Sequence, residues 1–348
     1  MRAVAGGDAR FAARRPETAR KGAQMMSPRP RFRALRASAG YVATLLMASA
    51  IFAPASAENC RRGPTHRLVI GQRPFAASSS WNTPIAETAV HQNVRWPPGA
   101  LFGVSWSRFS PAIHVASCSD PVVSVRRPAS WGYPEGVVKL RMPPDARGAL
   151  GSDGELLVID GDTVHNFWQF KRSGATEAAA NAYGAANVVT GSGWGQTSPF
   201  LGAGIVAAGS SQLAGMLVQA ETDRGEIAHA LQIAIDESLA RPGHVGEAIS
   251  GDGYNPDGLF QEGQRLAIAP NAPMPEGMSP LGDKVFRALQ GYGAFVIDKA
   301  GGATNLRAQA NAYDQPTIAA LQRDWERMAP MLERVTSANR RRWTGDGR

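Results

Sequence analysis

The chain is short of the features that most readily announce a function. It has two cysteines in 348 residues, and neither has a histidine at ligand spacing, so an ordinary zinc site is not expected. There is no GxSxG elbow, no P-loop, no HExxH helix and no GxGxxG following a strand. The common serine-hydrolase, nucleotide-binding and zinc-protease machineries are therefore not expected either. After residue 57 no second long apolar run occurs, so no stable membrane span is expected once the leader is removed. No internal repeat or heptad array is visible.

The formal charge of +8 suggests nucleic acid until its location is considered. Of the 37 Lys+Arg and 29 Asp+Glu, ten and two fall in residues 1–57, which leaves 27 of each in the rest. Residues 29–36 are basic, 41–52 are apolar but too few to span a bilayer, and Ala55-Ser56-Ala57 is a small-residue cleavage site. We read residues 1–57 as an N-terminal extension and signal peptide cleaved before Glu58, with Met25 or Met26 as an ordinary start and an uncleaved anchor as the alternative. The balanced remainder speaks against a nucleic-acid partner. An exported chain with Cys60 and Cys118 is expected to join them in one disulfide, with two free thiols as the alternative.

Residues 58–315 read as a β-rich domain. PVVSVRR, GVVKLRM, ELLVID and TVHNFWQF are short apolar and β-branched runs separated by Pro- and Gly-rich breaks, the spacing of a β-sandwich or jelly-roll core with peripheral helices. Asp160-Gly161-Asp162 reads as a hairpin turn. A two-residue loop would put Glu155 on one face with Asn166 and Trp168, and His165 on the other. Residues 174–215, rich in Gly, Ala and Ser, read as a long excursion over the rim, and 241–260 as a second loop. Residues 226–236 are expected as a strand, with a helical reading open, and 265–269 and 294–298 as two more. Ser279-Pro280 should start a helix. Residues 316–348 are read as an amphipathic C-terminal helix, bent near Pro330, and a basic tail.

The candidate chemistry is that of sugar recognition. Trp168 offers a flat face for a sugar ring, flanked by the hydrogen-bonding Asn166 and Gln169; a core tryptophan is the alternative. Glu155, His165, Glu226 and His229 are the candidate catalytic groups. In a hydrolytic scheme two carboxylates among Glu155, Glu226 and Asp162 flank the bond; in an eliminative one His165 or His229 takes a proton and a tyrosine, Tyr254 or Tyr292, gives one. Each has a structural alternative: His229 lies in an apolar row, and Asp160 and Asp162 suit a turn. No cofactor is required by this reading, although Asp252, Asn255 and Asp257 offer oxygen ligands for Ca²⁺ in a glycine-rich loop.

The order of SSSWNTPI, SDGELLVID, HNFWQF, GEIAHAL, EGQRL and SPLGDKVFRALQGYGAFVID resembles a family of exported bacterial β-rich proteins with no assigned activity. The family pattern has His where this chain has Glu155, and an acidic residue where it has Asn166. The resemblance implies a secreted β-rich domain of carbohydrate-active type, and the signal peptide an address in the periplasm or outside the cell. The combined expectation is an exported protein acting on a polysaccharide or cell-envelope glycan, as hydrolase or lyase. The alternative is a non-catalytic glycan-binding or envelope structural protein.

Overall fold

Two helices show how local sequence sets the frame. Ser279 caps the first, its hydroxyl accepting from Gly282 N at 3.1 Å, and Pro280 supplies the preset φ of the first position. Asp314 caps the second by accepting from Thr317 N at 2.8 Å. Their apolar faces, Leu281, Val285, Phe286 and Leu289 on one and Ile318, Leu321, Trp325 and Met328 on the other, pack into a common core. Buried Asp324 locks them together by accepting from Ser279 N at 2.9 Å and from its hydroxyl at 2.5 Å.

A computed structural model describes residues 73–129, 135–195 and 203–336. All of them fall within a single compact unit. The segment read as a signal peptide, Cys60 and the basic run at 340–342 lie outside the described residues.

The strands are β1 (Val90–Gln92), β2 (Phe102–Ser105), β3 (Ile113–Val115), β4 (Val122–Arg127), β5 (Gly136–Arg141), β6 (Leu156–Asp160), β7 (Thr163–Trp168), β8 (Lys171–Arg172), β9 (Glu177–Ala179) and β10 (Ala182–Asn187). A short helix α1 (Gln219–Thr222) precedes β11 (Leu231–Asp236), β12 (Ala240–His244), β13 (Phe260–Glu262) and β14 (Arg265–Ile268). The two capped helices, α2 (Pro280–Gly291) and α3 (Gln315–Met328), enclose β15 (Ala294–Ala300) and β16 (Thr304–Arg307), and β17 (Leu332–Thr336) closes the described chain.

The fold is mainly β. One sheet runs β1-β17-β14-β15-β11-β16-β2, a second β10-β7-β6-β3 and a third β5-β4-β9-β8, with β12-β13 as a separate pair. Alternation stacks these layers. Along β15, Ala294 and Val296 enter the core beneath the helices, while Phe295 and Ile297 enter a middle core shared with Leu157 and Ile159 of β6. Leu156 and Val158 point the opposite way, into an outer core with Val123 and Val125 of β4. The stack of sheets with peripheral helices is the expected architecture. The seven-stranded sheet is mixed, with β11 parallel to β15 and β16 parallel to β2, unlike the all-antiparallel pattern of a jelly roll.

The hairpin register is the expected one. Asp160 pairs with Thr163, Val158 with His165 and Leu157 with Asn166 around a two-residue turn in which Gly161 takes φ 61°. One motif of the resemblance proves to be core. Trp81, from SSSWNTPI, stacks on Trp194 at 4.9 Å and meets Phe295 edge-on at 4.8 Å. Asn82 donates to the carbonyls of Pro74 and Ala76, tying down the entry of the chain.

Several expectations are corrected. The span read as a long excursion contains β9 and β10, and β10 pairs with β7 along its whole length. Ala and Gly are weak strand formers, but bulk is excluded here: a Cβ on Gly184 would stand 2.5 Å from Gly204 O in the segment crossing above it. The segment expected as a loop begins with β12. The strand expected from residue 226 starts only at Leu231. The C-terminal helix does not bend at Pro330; it ends at Met328, passes through one 3₁₀ turn, and becomes β17 between β1 and β14. Pro330 supplies no N–H to continue a helix, and Leu332 and Val335 kept a helical spacing while belonging to a strand.

Candidate functional site

One cavity of about 760 Å³ opens where the first two sheets meet. Asp153 and Glu155 reach it from the approach to β6, Trp168 from the end of β7, Asp298 and Lys299 from β15, and Arg307 from the end of β16. Asp252 and Glu237 stand at its rim and are exposed.

Glu155 is the polar anchor of this wall. Its Oε1 accepts from Arg307 Nη2 at 2.7 Å and also from Gln212 Nε2, while Oε2 has no partner. Arg307 Nη2 donates a second bond to Phe109 O at 3.0 Å, and Nη1 has no partner. The two residues are 3% and 5% exposed, so the pair is held in a low-dielectric setting where each charge needs the other. Burial raises the Glu155 carboxyl above its ordinary value, against the pull of Arg307, and nearby Asp153 adds to the rise.

Asp298 sits on the same wall, its Oδ1 accepting from Lys299 N at 3.0 Å. Burial, with the nearby carboxyls of Asp252 and Glu155, pushes it up to about 8, so at neutral pH it holds a proton. Arg307 opposes that shift without reversing it. Behind the rim, Glu262 is fully buried with Oε2 unpartnered, and burial, aided by the Asp252 carboxyl, raises it to about 7. Asp252 meanwhile holds Lys299 in an ion pair. Trp168 is half-buried and donates from Nε1 to Asp153 Oδ1 at 3.3 Å, which orients the indole.

The remaining expected residues go elsewhere. Asn166 is fully buried behind the wall, accepting from Ser211 Oγ at 3.1 Å and Gln212 N at 2.9 Å and donating to Ala203 O at 3.0 Å. It fastens the 203–213 segment to β7. Gln169 takes φ 53° just past β7, and its side chain accepts from Asn181 Nδ2 at 2.5 Å. Gln169 therefore shapes the bend after the strand.

His165 faces the outer core, and its Nδ1 lies 2.9 Å from Tyr183 OH. Burial holds its pKa down at about 4, and burial lifts Tyr183 to about 12. This pair exchanges no protons near neutrality and packs with Phe167 as an aromatic cluster. Glu226 is exposed and does not meet His229. The carboxylate that does is Glu221, at 2.9 Å from His229 Nε2, while His229 Nδ1 faces Ala230 O at 2.9 Å. The turn between α1 and β11 brings 221 and 229 together, which neither a strand nor a helix begun at Glu226 would do.

Asp252, Asn255 and Asp257 do not converge. Asp252 takes Lys299, Asn255 donates to Ser238 O at 2.5 Å, and no group of three acidic or His/Cys residues suited to a metal occurs among the described residues. Tyr254 is exposed beside Lys299, and Tyr292 ends α2. Asp160 pairs with Arg141 at 3.3 Å, so it does more than turn the chain.

Sequence reasoning missed Asp298, Arg307, Gln212 and Lys299. Asp298 had one signal, a carboxylate closing the apolar run AFVID. Arg307 had none, since its partner lies 152 positions away. No protein-family model, curated protein or solved structure matches this chain.

Proposed function

We propose that this chain is an exported carbohydrate-active protein that binds a polysaccharide or cell-envelope glycan in the Trp168 cavity and hydrolyses it. The observation that carries the reading is the joint placement of a half-buried tryptophan and a proton-bearing carboxyl, Asp298, on one cavity wall. Trp168 offers a face for a sugar ring. Asp298 serves as the acid that protonates the departing glycosidic oxygen, and Asp153 supplies the second carboxylate that a hydrolytic scheme needs. The eliminative scheme loses support, because His165 lies on the other face of β7 and His229 is enclosed by Glu221 and Ala230.

Export rests on the basic, apolar and small-residue order of residues 29–57 and goes with a Cys60–Cys118 disulfide. Among the described residues no helix is long and apolar enough to cross a membrane.

A second reading, glycan binding without turnover, is favoured by one observation. Glu155 is consumed by Arg307 and Gln212 and is not available for chemistry. The two part company in one experiment: purified protein is incubated with neutral, amino and acidic polysaccharides, and new reducing ends are assayed. Release that disappears in Asp298→Asn supports hydrolysis. Retardation in glycan affinity gels without new reducing ends supports the binder, and the absorbance of unsaturated uronates would restore elimination.

A further inference from the structure

The charge balance of the cavity points to the kind of glycan it takes. Its wall and rim carry five carboxyl groups against two cations. Both cations are already engaged: Arg307 by Glu155, and Lys299 by Asp252. No cation among the described lining residues lacks a carboxylate partner of its own. Asp153 and the exposed Glu237 remain as the negative groups of the opening.

Unsatisfied buried atoms give an independent sign that the wall is built for a ligand. Glu155 is 97% buried by its 3% exposure and lines the cavity with Oε2 unpartnered; Arg307 lines it with Nη1 unpartnered. Their pairing uses one oxygen and one nitrogen, where Arg and carboxylate commonly engage two of each. One acceptor and one donor of this pair therefore remain without partners. A sugar hydroxyl can serve both kinds of need, whereas a second carboxylate would satisfy Nη1 and confront Oε2.

We propose that the ligand is a glycan bearing free amino groups, such as a polymer of unacetylated amino sugars, and that polyanionic glycans are rejected. This rests on the glycan reading of the same cavity. An ammonium group approaching Asp153 and Glu237 gains electrostatic attraction at the opening. A uronate polymer entering the same opening meets like charge with no counter-cation.

Titration calorimetry at pH 6 with tetramers of glucosamine, N-acetylglucosamine, glucose and galacturonate tests it. The glucosamine tetramer is expected to bind on the order of tenfold more tightly than its acetylated counterpart, with galacturonate weakest. About 0.5 M salt should erase most of the difference by screening. Glu237→Gln, an exposed and conservative change, should lower glucosamine binding severalfold more than glucose binding, and Asp153→Asn should lower glucosamine binding more strongly still. Equal binding of glucosamine and N-acetylglucosamine tetramers, or galacturonate binding as tight as either, would overturn this inference and leave the glycan reading standing. Absence of binding by all four would overturn both.

Discussion

Glu155 and Arg307 stand 2.7 Å apart across two sheets and hold a buried ion pair through one oxygen and one nitrogen. Arg307→Met strands the Glu155 carboxyl in the interior and should cost about 3–5 kcal/mol of stability. Replacing both, as Glu155→Leu with Arg307→Met, should cost much less, because no lone charge remains. Urea unfolding of the three proteins measures this directly.

Asp298 gives a pH dependence with a definite sign. Its carboxyl binds a proton more strongly when folded, at about 8, than the ordinary value of 3.8. Stability from this group is full below about pH 4 and is lost as pH rises towards 8, since the unfolded chain releases the proton and the folded one resists. Asp298→Asn should match the wild type at pH 4 and exceed it by a growing margin up to pH 8. A pH series of thermal melts reads the difference. Glycan cleavage, if assayed in parallel, should fall on the alkaline side with an apparent pKa near 8 and drop by roughly 100-fold or more in the variant.

Trp168 is predicted to bind through its face. Trp168→Ala should weaken glycan affinity by about tenfold or more, with the melting temperature little changed because the indole is only half-buried. Affinity electrophoresis with and without glycan in the gel measures the ratio.

Asn166 is predicted to matter for architecture alone. Asn166→Leu leaves Gln212 N and Ala203 O without partners and Ser211 Oγ with the Leu213 amide alone, a loss of about 3 kcal/mol. Hydrogen exchange should quicken first at the Gln212 amide, ahead of global unfolding.

The hairpin with its two faces was legible in the chain because a two-residue Gly161-Asp162 turn allows only one pairing parity, and that alone set Glu155 beside Trp168. The helix at Pro280 was legible for a similar reason: cap, proline and apolar stripe lie within one short segment. What was not legible depends on encounters between distant residues. Gln212, Asp298 and Arg307 reach Glu155 or its neighbourhood only after three segments have been laid side by side, and no local spacing encodes that. His165 looked like chemistry because it stands next to Asn166 and Trp168, yet its environment is set by Tyr183 and the outer core. Glu226 stands only three residues before His229 in number, yet the turn after α1 supplies Glu221 as its partner. The Ala- and Gly-rich β10 hid its strand because its composition answers the need for close approach at Gly184 and not the usual need for branched side chains.

The β6–β7 hairpin serves as a party wall, one residue thick, between two cores. Leu157, Ile159 and Val164 belong to one neighbour, and Leu156, Val158 and Phe167 to the other. Inserting a single residue at the Gly161-Asp162 turn would exchange tenants, sending the side chains of the cavity face toward the outer sheet and the aromatic cluster toward the cavity. Diversity in this part of the protein must therefore arrive by substitution, while changes of length are confined to the segments that cross above the wall.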